Sequence, residues 1–188
     1  MTTLVDRPNS ALLVLDMQNG VLAQAHDRDT IVATVASLVA RARAGEVPVL
    51  WMQHCGEELP EGSEGWQYVS ELVPYPDEPV LRKSYADAFE ETGLEQALAE
   101  RGAGRVFLAG AQTDECIRST LHGAIVRGYD TILIADAHTT EDLSRFGAPT
   151  PEQVIAHTNL YWRYHQAPGR TAGTVTSAEL DFAAPGRS

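Results

Sequence analysis

The sequence predicts an α/β fold in which helices cover both faces of a mainly parallel sheet. Short apolar runs alternate along the chain with segments whose apolar residues recur at helical spacing, which is typical of strand–helix–strand units. The first run, residues 11–15, is continuously apolar, as expected of a strand buried on both faces. A length of 188 residues suits one domain with a sizeable core.

The first half of the chain begins with this strand, which ends at Asp16. A helix is predicted over residues 30–43, where five apolar residues recur at helical spacing: Ile31, Val35, Leu38, Val39 and Ala42. A second strand is predicted over residues 47–53. The segment 54–79 is rich in glycine, proline and acidic residues. We therefore expect a long functional loop there, with a short helix around residues 66–72.

The middle of the chain continues the alternation. A strand is predicted over residues 80–83 and another over residues 105–109. Between them, Thr92 and Glu95 have the spacing of a capping box, which predicts a helix to about residue 101.

The last third adds two helices and two strands. The predicted elements are a helix over 117–127, a strand over 131–135, a helix from 150 to about 165 and a strand over 173–176. Thr150, Pro151 and Gln153 form a helix start, with a cap, a proline in the first turn and a capping-box glutamine. One domain is expected over residues 1–188, with its core from about 10 to 182 and a frayed tail over 183–188.

Composition limits the partners that the chain can have. The net charge is −12, so nucleic acid and anionic membrane surfaces are poor partners. The two cysteines, Cys55 and Cys116, lack CxxC spacing, which fits a reducing compartment. We see no signal peptide and no apolar run of membrane-spanning length, so a cytoplasmic protein is expected.

Cys116 is the residue whose position most clearly indicates a reactive side chain. It follows a predicted strand and precedes a helical pattern, so it is expected in the first turn of a helix, where backbone N–H groups lower a thiol pKa. Asp16 and Lys83 also stand at strand ends, and parallel strands end at one edge of a sheet. A thiolate nucleophile, a carboxylate that moves its proton and a lysine beside both anions would suit a thiol hydrolase. A small buried apolar residue is the alternative for Cys116.

Three segments carry a resemblance to a known family. They are residues 15–20, Lys83 with Ala88 and Phe89 after it, and residues 110–116. In this order and spacing they resemble the isochorismatase-like cysteine hydrolase superfamily, from about residue 11 to 182. The resemblance implies a three-layer α-β-α fold of Rossmann type with a six-stranded, mainly parallel sheet.

The resemblance also implies a site. Asp16 would be the general base and acid, Lys83 its ion-pair partner and Cys116 the nucleophile. A cis peptide bond at Ala111–Gln112 would turn the amides of Gln112 and Cys116 toward an oxyanion. The implied protein needs no cofactor, acts on a small molecule and forms a homodimer or homotetramer.

Departures from the family pattern refine the expected chemistry. Nicotinamidases of this superfamily hold a metal with an aspartate and two histidines after the second strand. Residues 53–58 offer only His54 of that set, so we predict no metal. Asp87 stands where the family often has serine. Isochorismatases often lack the catalytic cysteine, so Cys116 favours cleavage of a C–N bond over cleavage of a vinyl ether.

Several polar and aromatic residues are candidates for binding the substrate. The candidates are Gln18, His54, Trp66, Tyr85 and Phe89. Each has an alternative: Gln18 and the side chain of Gln112 could satisfy backbone groups, His54 could be a satisfied strand-end residue, and the aromatic residues could be core. His138 could reach the rim of the site, and Cys55 is expected to be structural or incidental. Subunit packing is expected of residues in the last helix: His157, Asn159, Tyr161, Trp162 and Tyr164.

The leading functional hypothesis is a metal-free cysteine hydrolase that cleaves a C–N bond of a small amide, carbamoyl or ureido compound through a thioester. Two alternatives remain open at this point: a vinyl-ether hydrolase of the isochorismatase type, and a non-catalytic thiol sensor that uses Cys116. A dinucleotide-dependent enzyme is disfavoured, because residues 16–20 stand where a G-x-G-x-x-G turn would be needed.

Overall fold

A single twisted sheet of seven strands organises the described part of the chain. The computed structural model describes residues 2–182. The strands are β1 (Asn9–Leu15), β2 (Val49–His54), β3 (Val80–Lys83), β4 (Ala103–Ala111), β5 (Asp130–Thr139), β6 (Gln166–Ala167) and β7 (Arg170–Val175). Their order across the sheet is β3-β2-β1-β4-β5-β7-β6, and every neighbouring pair is parallel except β6 and β7.

The sheet has one strand more than the six that were expected. All six predicted strands are present, with bounds shifted by a few residues. The seventh, β6, has two residues and pairs antiparallel with the start of β7. So short a hairpin has no apolar periodicity of its own, and for this reason the pattern did not indicate it.

Helices cover both faces of the sheet, which confirms the three-layer α-β-α class. They are α1 (Arg28–Ala44), α2 (Leu94–Glu100), α3 (Arg118–Val126) and α4 (Pro151–Arg163). The apolar face of α1 packs on Leu12 and Val14, whereas α2, α3 and α4 pack on the opposite face with Leu13 and Leu15. Successive residues of β1 therefore enter different cores, which explains its continuously apolar sequence.

Two local predictions were wrong, and both failed because of distant contacts. No helix forms over residues 66–72, because residues 17–20 take up the backbone groups of this segment, for example Val69 N with Met17 O at 3.0 Å. Thr92 forms no capping box, since Glu95 pairs with Arg7 at 2.8 Å and α2 begins after Gly93 without a side-chain cap.

The capping box of α4 is confirmed, with Thr150 N donating to Gln153 Oε1 at 3.1 Å. Across residues 2–182, none of the helices combines the length and the apolar character that crossing a bilayer requires. The predicted frayed tail, 183–188, lies outside the described residues.

Candidate active site

Four neighbouring strands bring the predicted catalytic residues to one edge of the sheet. Asp16 follows β1, His54 ends β2 and Lys83 ends β3. Cys116 lies just beyond β4, in a π-helical turn over Thr113–Ile117 that leads into α3. Because these strands are parallel and adjacent, their carboxyl ends meet, and ligands of open α/β sheets bind at this edge.

The ammonium group of Lys83 is the centre of the cluster. Its Nζ lies 2.8 Å from Asp16 Oδ2, 3.1 Å from Cys116 Sγ and 3.3 Å from His54 Nδ1. It also donates to the backbone oxygen of Tyr85 at 3.2 Å. Four acceptors therefore surround three N–H bonds, and the side chain is 0 % exposed. Such a buried ion pair holds its members in one arrangement, because each charge depends on the other.

Gly110 allows β4 to carry the cysteine turn close to Asp16. Its φ of +124° lies in the region that favours glycine, and a Cβ there would overlap the carbonyl oxygen of Leu15, the residue before Asp16. The main chains of β1 and β4 can therefore approach at the point where both leave the sheet. Asp16 itself has a φ of +51°, a conformation that aspartate adopts more readily than most residues.

The turn that carries Cys116 starts directly after a cis peptide bond at Ala111–Gln112, the bond that the resemblance implies. The carbonyl oxygen of Gln112 accepts from the N–H groups of Glu115 and Ile117, both at 3.1 Å. Gln112 and Cys116, whose amides were predicted to face an oxyanion, therefore belong to one compact turn.

Burial governs the electrostatics of the site. It raises the pKa of Cys116 to about 12; Asp16 raises it further, and Lys83 only partly opposes them. Burial therefore outweighs any lowering of this pKa by the start of the helix. Burial also acts to lower the pKa of Lys83, but Asp16 and Cys116 outweigh it and the pKa is raised. The pKa of His54 is lowered by burial and by Lys83, which favours a neutral ring.

Three donor atoms of kinds that bind metals are also close together. One atom each of Asp16, His54 and Cys116 lie within 4.8 Å of one another. The ammonium of Lys83 lies 2.8–3.3 Å from all three and so stands where an ion would have to bind. This geometry favours a lysine-centred site over a metal centre, and the absence of a metal remains a prediction.

Comparison with known proteins places the chain in a family. The model of the isochorismatase domain matches residues 10–153.

The chain belongs to the isochorismatase family.

Two curated relatives show what members of similar sequence do. A streptothricin hydrolase from Streptomyces noursei is 33 % identical over 144 residues, which cover 73 % of this chain and 57 % of that protein. This chain thus matches little more than half the length of that relative. The ureidoacrylate amidohydrolase RutB of Enterobacter sp. (strain 638) is 27 % identical, with 73 % of this chain and 81 % of that protein covered.

Solved structures agree with this family assignment. The crystal structure of an isochorismatase family protein superposes with a TM-score of 0.80 at 29 % identity, over 90 % of this chain and 99 % of its own. A cysteine hydrolase from Pseudomonas syringae pv. phaseolicola 1448A has a TM-score of 0.82 at 21 % identity, over 91 % and 90 % of the two chains, and shares the fold.

Gln18 is placed in the wall behind the cluster. It is completely buried, and its Oε1 accepts from His54 N at 2.8 Å. Its Nε2 donates to the backbone oxygens of His54 and Trp66, both at 2.9 Å. All three bonds go to backbone, so this placement favours the structural alternative for Gln18. It also fixes His54 against the loop that follows β2.

The three aromatic candidates have different surroundings. Trp66 is half-buried and donates from Nε1 to Cys55 Sγ at 3.1 Å, which gives Cys55 a structural contact. Tyr85 is 51 % exposed beside the lysine. Phe89 is buried against Tyr129, with 5.7 Å between ring centroids, and is a core residue. Trp66 and Tyr85 therefore remain candidates for the pocket wall.

The structure does not support two candidate roles on the far side of the site. His138 does not reach the rim, because it is completely buried and its two ring nitrogens face Thr113 and Asn159. Trp162 is also buried and donates to Thr131 O at 3.0 Å, so it belongs to the core. Tyr161 and Tyr164 are exposed. The homodimer or homotetramer stays a prediction.

The segment after Lys83 is docked on α3, a contact that the sequence pattern did not predict. Ala88 N donates to Thr120 Oγ1 at 3.0 Å, and Asp87 Oδ2 pairs with Arg127 at 3.2 Å. A Cβ at Gly123 would overlap the Asp87 carboxylate. Asp87, the residue that departs from the family pattern, thus helps to join β3 to α3. The glycine in the middle of a helical pattern is the one feature of the sequence that could have indicated so close an approach.

Proposed function

We propose that this chain is a cysteine hydrolase that cleaves a C–N bond of a small amide, carbamoyl or ureido compound through a thioester on Cys116. The observation that carries the proposal is the position of Lys83 Nζ, 3.1 Å from the thiol and 2.8 Å from the Asp16 carboxylate. A cation so placed stabilises the thiolate when the thiol proton leaves.

The first half of the reaction makes the thioester. Asp16 takes the proton of the Cys116 thiol, which is needed because burial raises the pKa of this thiol to about 12. The thiolate attacks the carbonyl carbon, and the amides of Gln112 and Cys116 stabilise the oxyanion. The intermediate collapses, the C–N bond breaks, and Asp16 returns the proton to the leaving nitrogen, which departs as ammonia or an amine.

The second half releases the acid. Asp16, again a carboxylate, takes a proton from a water molecule that attacks the thioester carbonyl. The C–S bond breaks, the Cys116 sulfur regains the proton from Asp16, and the carboxylic or carbamic acid leaves. Throughout, Lys83 remains the counter-ion of whichever group carries the negative charge.

The relatives support the bond type. RutB carries the name of an amidohydrolase, and the streptothricin hydrolase carries the name of a hydrolase. The presence of Cys116 favours acyl transfer over vinyl-ether cleavage, which does not need a thiol. The charge of −12 supports a small soluble substrate over a nucleic acid or an anionic membrane surface.

The test measures ammonia release from a panel of small amides, carbamoyl compounds, ureido compounds and lactams. Because lactams open without releasing ammonia, the mass of the product is followed for them. The parent is compared with Cys116→Ala and with Cys55→Ala, the matched change at the other cysteine. We expect turnover of at least one compound by the parent and by Cys55→Ala, and none by Cys116→Ala. Turnover that persists in Cys116→Ala would contradict the mechanism. Vinyl-ether cleavage by that variant would favour the alternative chemistry.

A further inference from the structure

A chain of side-chain hydrogen bonds lies beneath the turn that carries Cys116, and the steps above use none of it. His138 Nδ1 lies 2.8 Å from Thr113 Oγ1, and His138 Nε2 lies 3.1 Å from Asn159 Oδ1. Asn159 Nδ2 donates to Ala135 O at 2.9 Å. The chain thus joins three elements: the cysteine turn, β5 and α4.

The bond from Asn159 to Ala135 O determines which atom donates in each of the other bonds. Because Nδ2 of Asn159 donates to a carbonyl, its Oδ1 is the acceptor, and His138 Nε2 must carry the hydrogen. His138 Nδ1 is then an acceptor, and the hydroxyl of Thr113 donates to it. Burial lowers the pKa of His138 to about 4, so the ring is neutral and this tautomer persists at neutral pH.

The course of β5 delivers His138 to this position. Leu108 of β4 pairs with Leu133 of β5, but Gly110 pairs with His138, so four residues of β5 stand opposite a single residue of β4 between these two points. Thr140, just beyond the strand, donates to Asp114 Oδ1 at 2.6 Å. The end of β5 therefore holds the cysteine turn at two of its residues, Thr113 and Asp114.

An apolar side chain would fill the buried position of His138 at lower cost in desolvation, since a buried imidazole must be hydrogen-bonded at both nitrogens. Here both bonds are made, and Nδ1 accepts from Thr113, which lies in the turn three residues before Cys116. A sulfur held 3.1 Å from an ammonium depends on the placement of that turn.

We propose that His138 is a positioning residue, which holds the turn through Thr113 so that Cys116 Sγ stays in contact with Lys83 Nζ. This inference rests on the proposed function, because it concerns the nucleophile named there. Its test, however, needs no substrate.

The experiment measures the rate at which iodoacetamide alkylates Cys116 at pH 8, by intact mass, in a Cys55→Ser background with a single thiol. Thr113→Val removes the hydroxyl and keeps the shape, whereas Thr113→Ser keeps the hydroxyl. Thr131→Val is the matched control: Thr131 is equally buried, but its hydroxyl faces Tyr129 O at 3.3 Å, far along β5 from the turn.

We expect Thr113→Val to slow alkylation by about 10-fold, because a small displacement of the sulfur from Lys83 destabilises the thiolate. Thr113→Ser and Thr131→Val should stay within about 2-fold of the parent, whatever their thermal midpoints. A purely structural role predicts the opposite for Thr113→Val, since a loosened turn exposes the thiol. Alkylation as fast as the parent's, or faster, would overturn the proposal.

A second variant, Asn159→Ala, keeps the proposal testable if Thr113→Val does not fold. Asn159→Ala leaves the bond from Thr113 to His138 but removes the partner that fixes the ring, and we expect alkylation slower by about 3-fold. An unchanged or faster rate in this variant would also overturn the proposal. Absence of turnover by the parent would count against the proposed function alone, since the alkylation rates report on the position of the thiol whether or not the protein turns over a substrate.

Discussion

Replacing Asp16 with asparagine should separate two effects of this carboxylate. Its charge disfavours the Cys116 thiolate, since Asp16 raises the pKa of the thiol beyond the effect of burial. Its proton is nevertheless required to expel the leaving nitrogen. In Asp16→Asn the thiol should therefore react faster with iodoacetamide, which releases iodide and needs no proton donor, while amide turnover is lost.

The size of the first effect follows from the geometry. Carboxylate and sulfur lie within 4.8 Å, and two unit charges at that distance interact by about 3 kcal/mol at an effective dielectric constant of about 20. That energy corresponds to a pKa lower by about 2 units. Because a less basic thiolate is also a weaker nucleophile, with a Brønsted coefficient of about 0.5, the net gain in rate at pH 8 is about 10-fold.

The assay follows alkylation by intact mass in the Cys55→Ser background and turnover by ammonia release. Asp16→Glu serves as the control, because it keeps the charge and the proton but moves both. Slower alkylation in Asp16→Asn than in the parent would refute the electrostatic reasoning, since removal of the thiol proton by Asp16 would then outweigh the repulsion between its charge and the thiolate. Retained turnover would refute its role as the proton donor.

Three further predictions follow from the same contacts. Lys83→Met leaves the Asp16 carboxylate buried without its counter-ion, and urea unfolding should show a loss of about 3–5 kcal/mol; a loss below 1 kcal/mol would contradict a buried pair. Alkylation of Cys116 in the parent should rise about tenfold per pH unit from pH 7 to 10, as its raised pKa requires, whereas a plateau below pH 9 would show a lower pKa. Gly110→Ala should give no folded protein by circular dichroism, since its Cβ would meet Leu15 O, whereas Gly62→Ala, with open space around it, should fold.

The sequence was sufficient for the class of fold and for the meeting of the three candidate catalytic residues. Both depend on regularities that are local or general. Apolar runs and helical spacing mark elements from their own residues, and parallel strands always end at a common edge. Asp16, Lys83 and Cys116 each follow or end such a run, so their convergence needed no knowledge of the contacts between them.

The two capping boxes show where local reasoning ends. Thr150 and Gln153 satisfy each other in the structure, with Thr150 N donating to Gln153 Oε1 at 3.1 Å. Thr92 and Glu95 have the same spacing, but Arg7 lies beside Glu95 and takes its carboxylate. A charged residue that is distant in sequence but close in space can therefore override a hydrogen-bonding pattern within four residues.

Tertiary structure alone decided the protonation of the thiol and the place of His138. The position of Cys116 at the start of a helix favours a low pKa, but the depth of its burial is a property of the whole fold and raises it. His138 follows an aspartate and an alanine in the sequence, and only the bulge in β5 turns it under the cysteine turn instead of toward the rim. Neighbours in sequence determine which element a residue joins, whereas desolvation and hydrogen-bond partners depend on segments that meet only after folding.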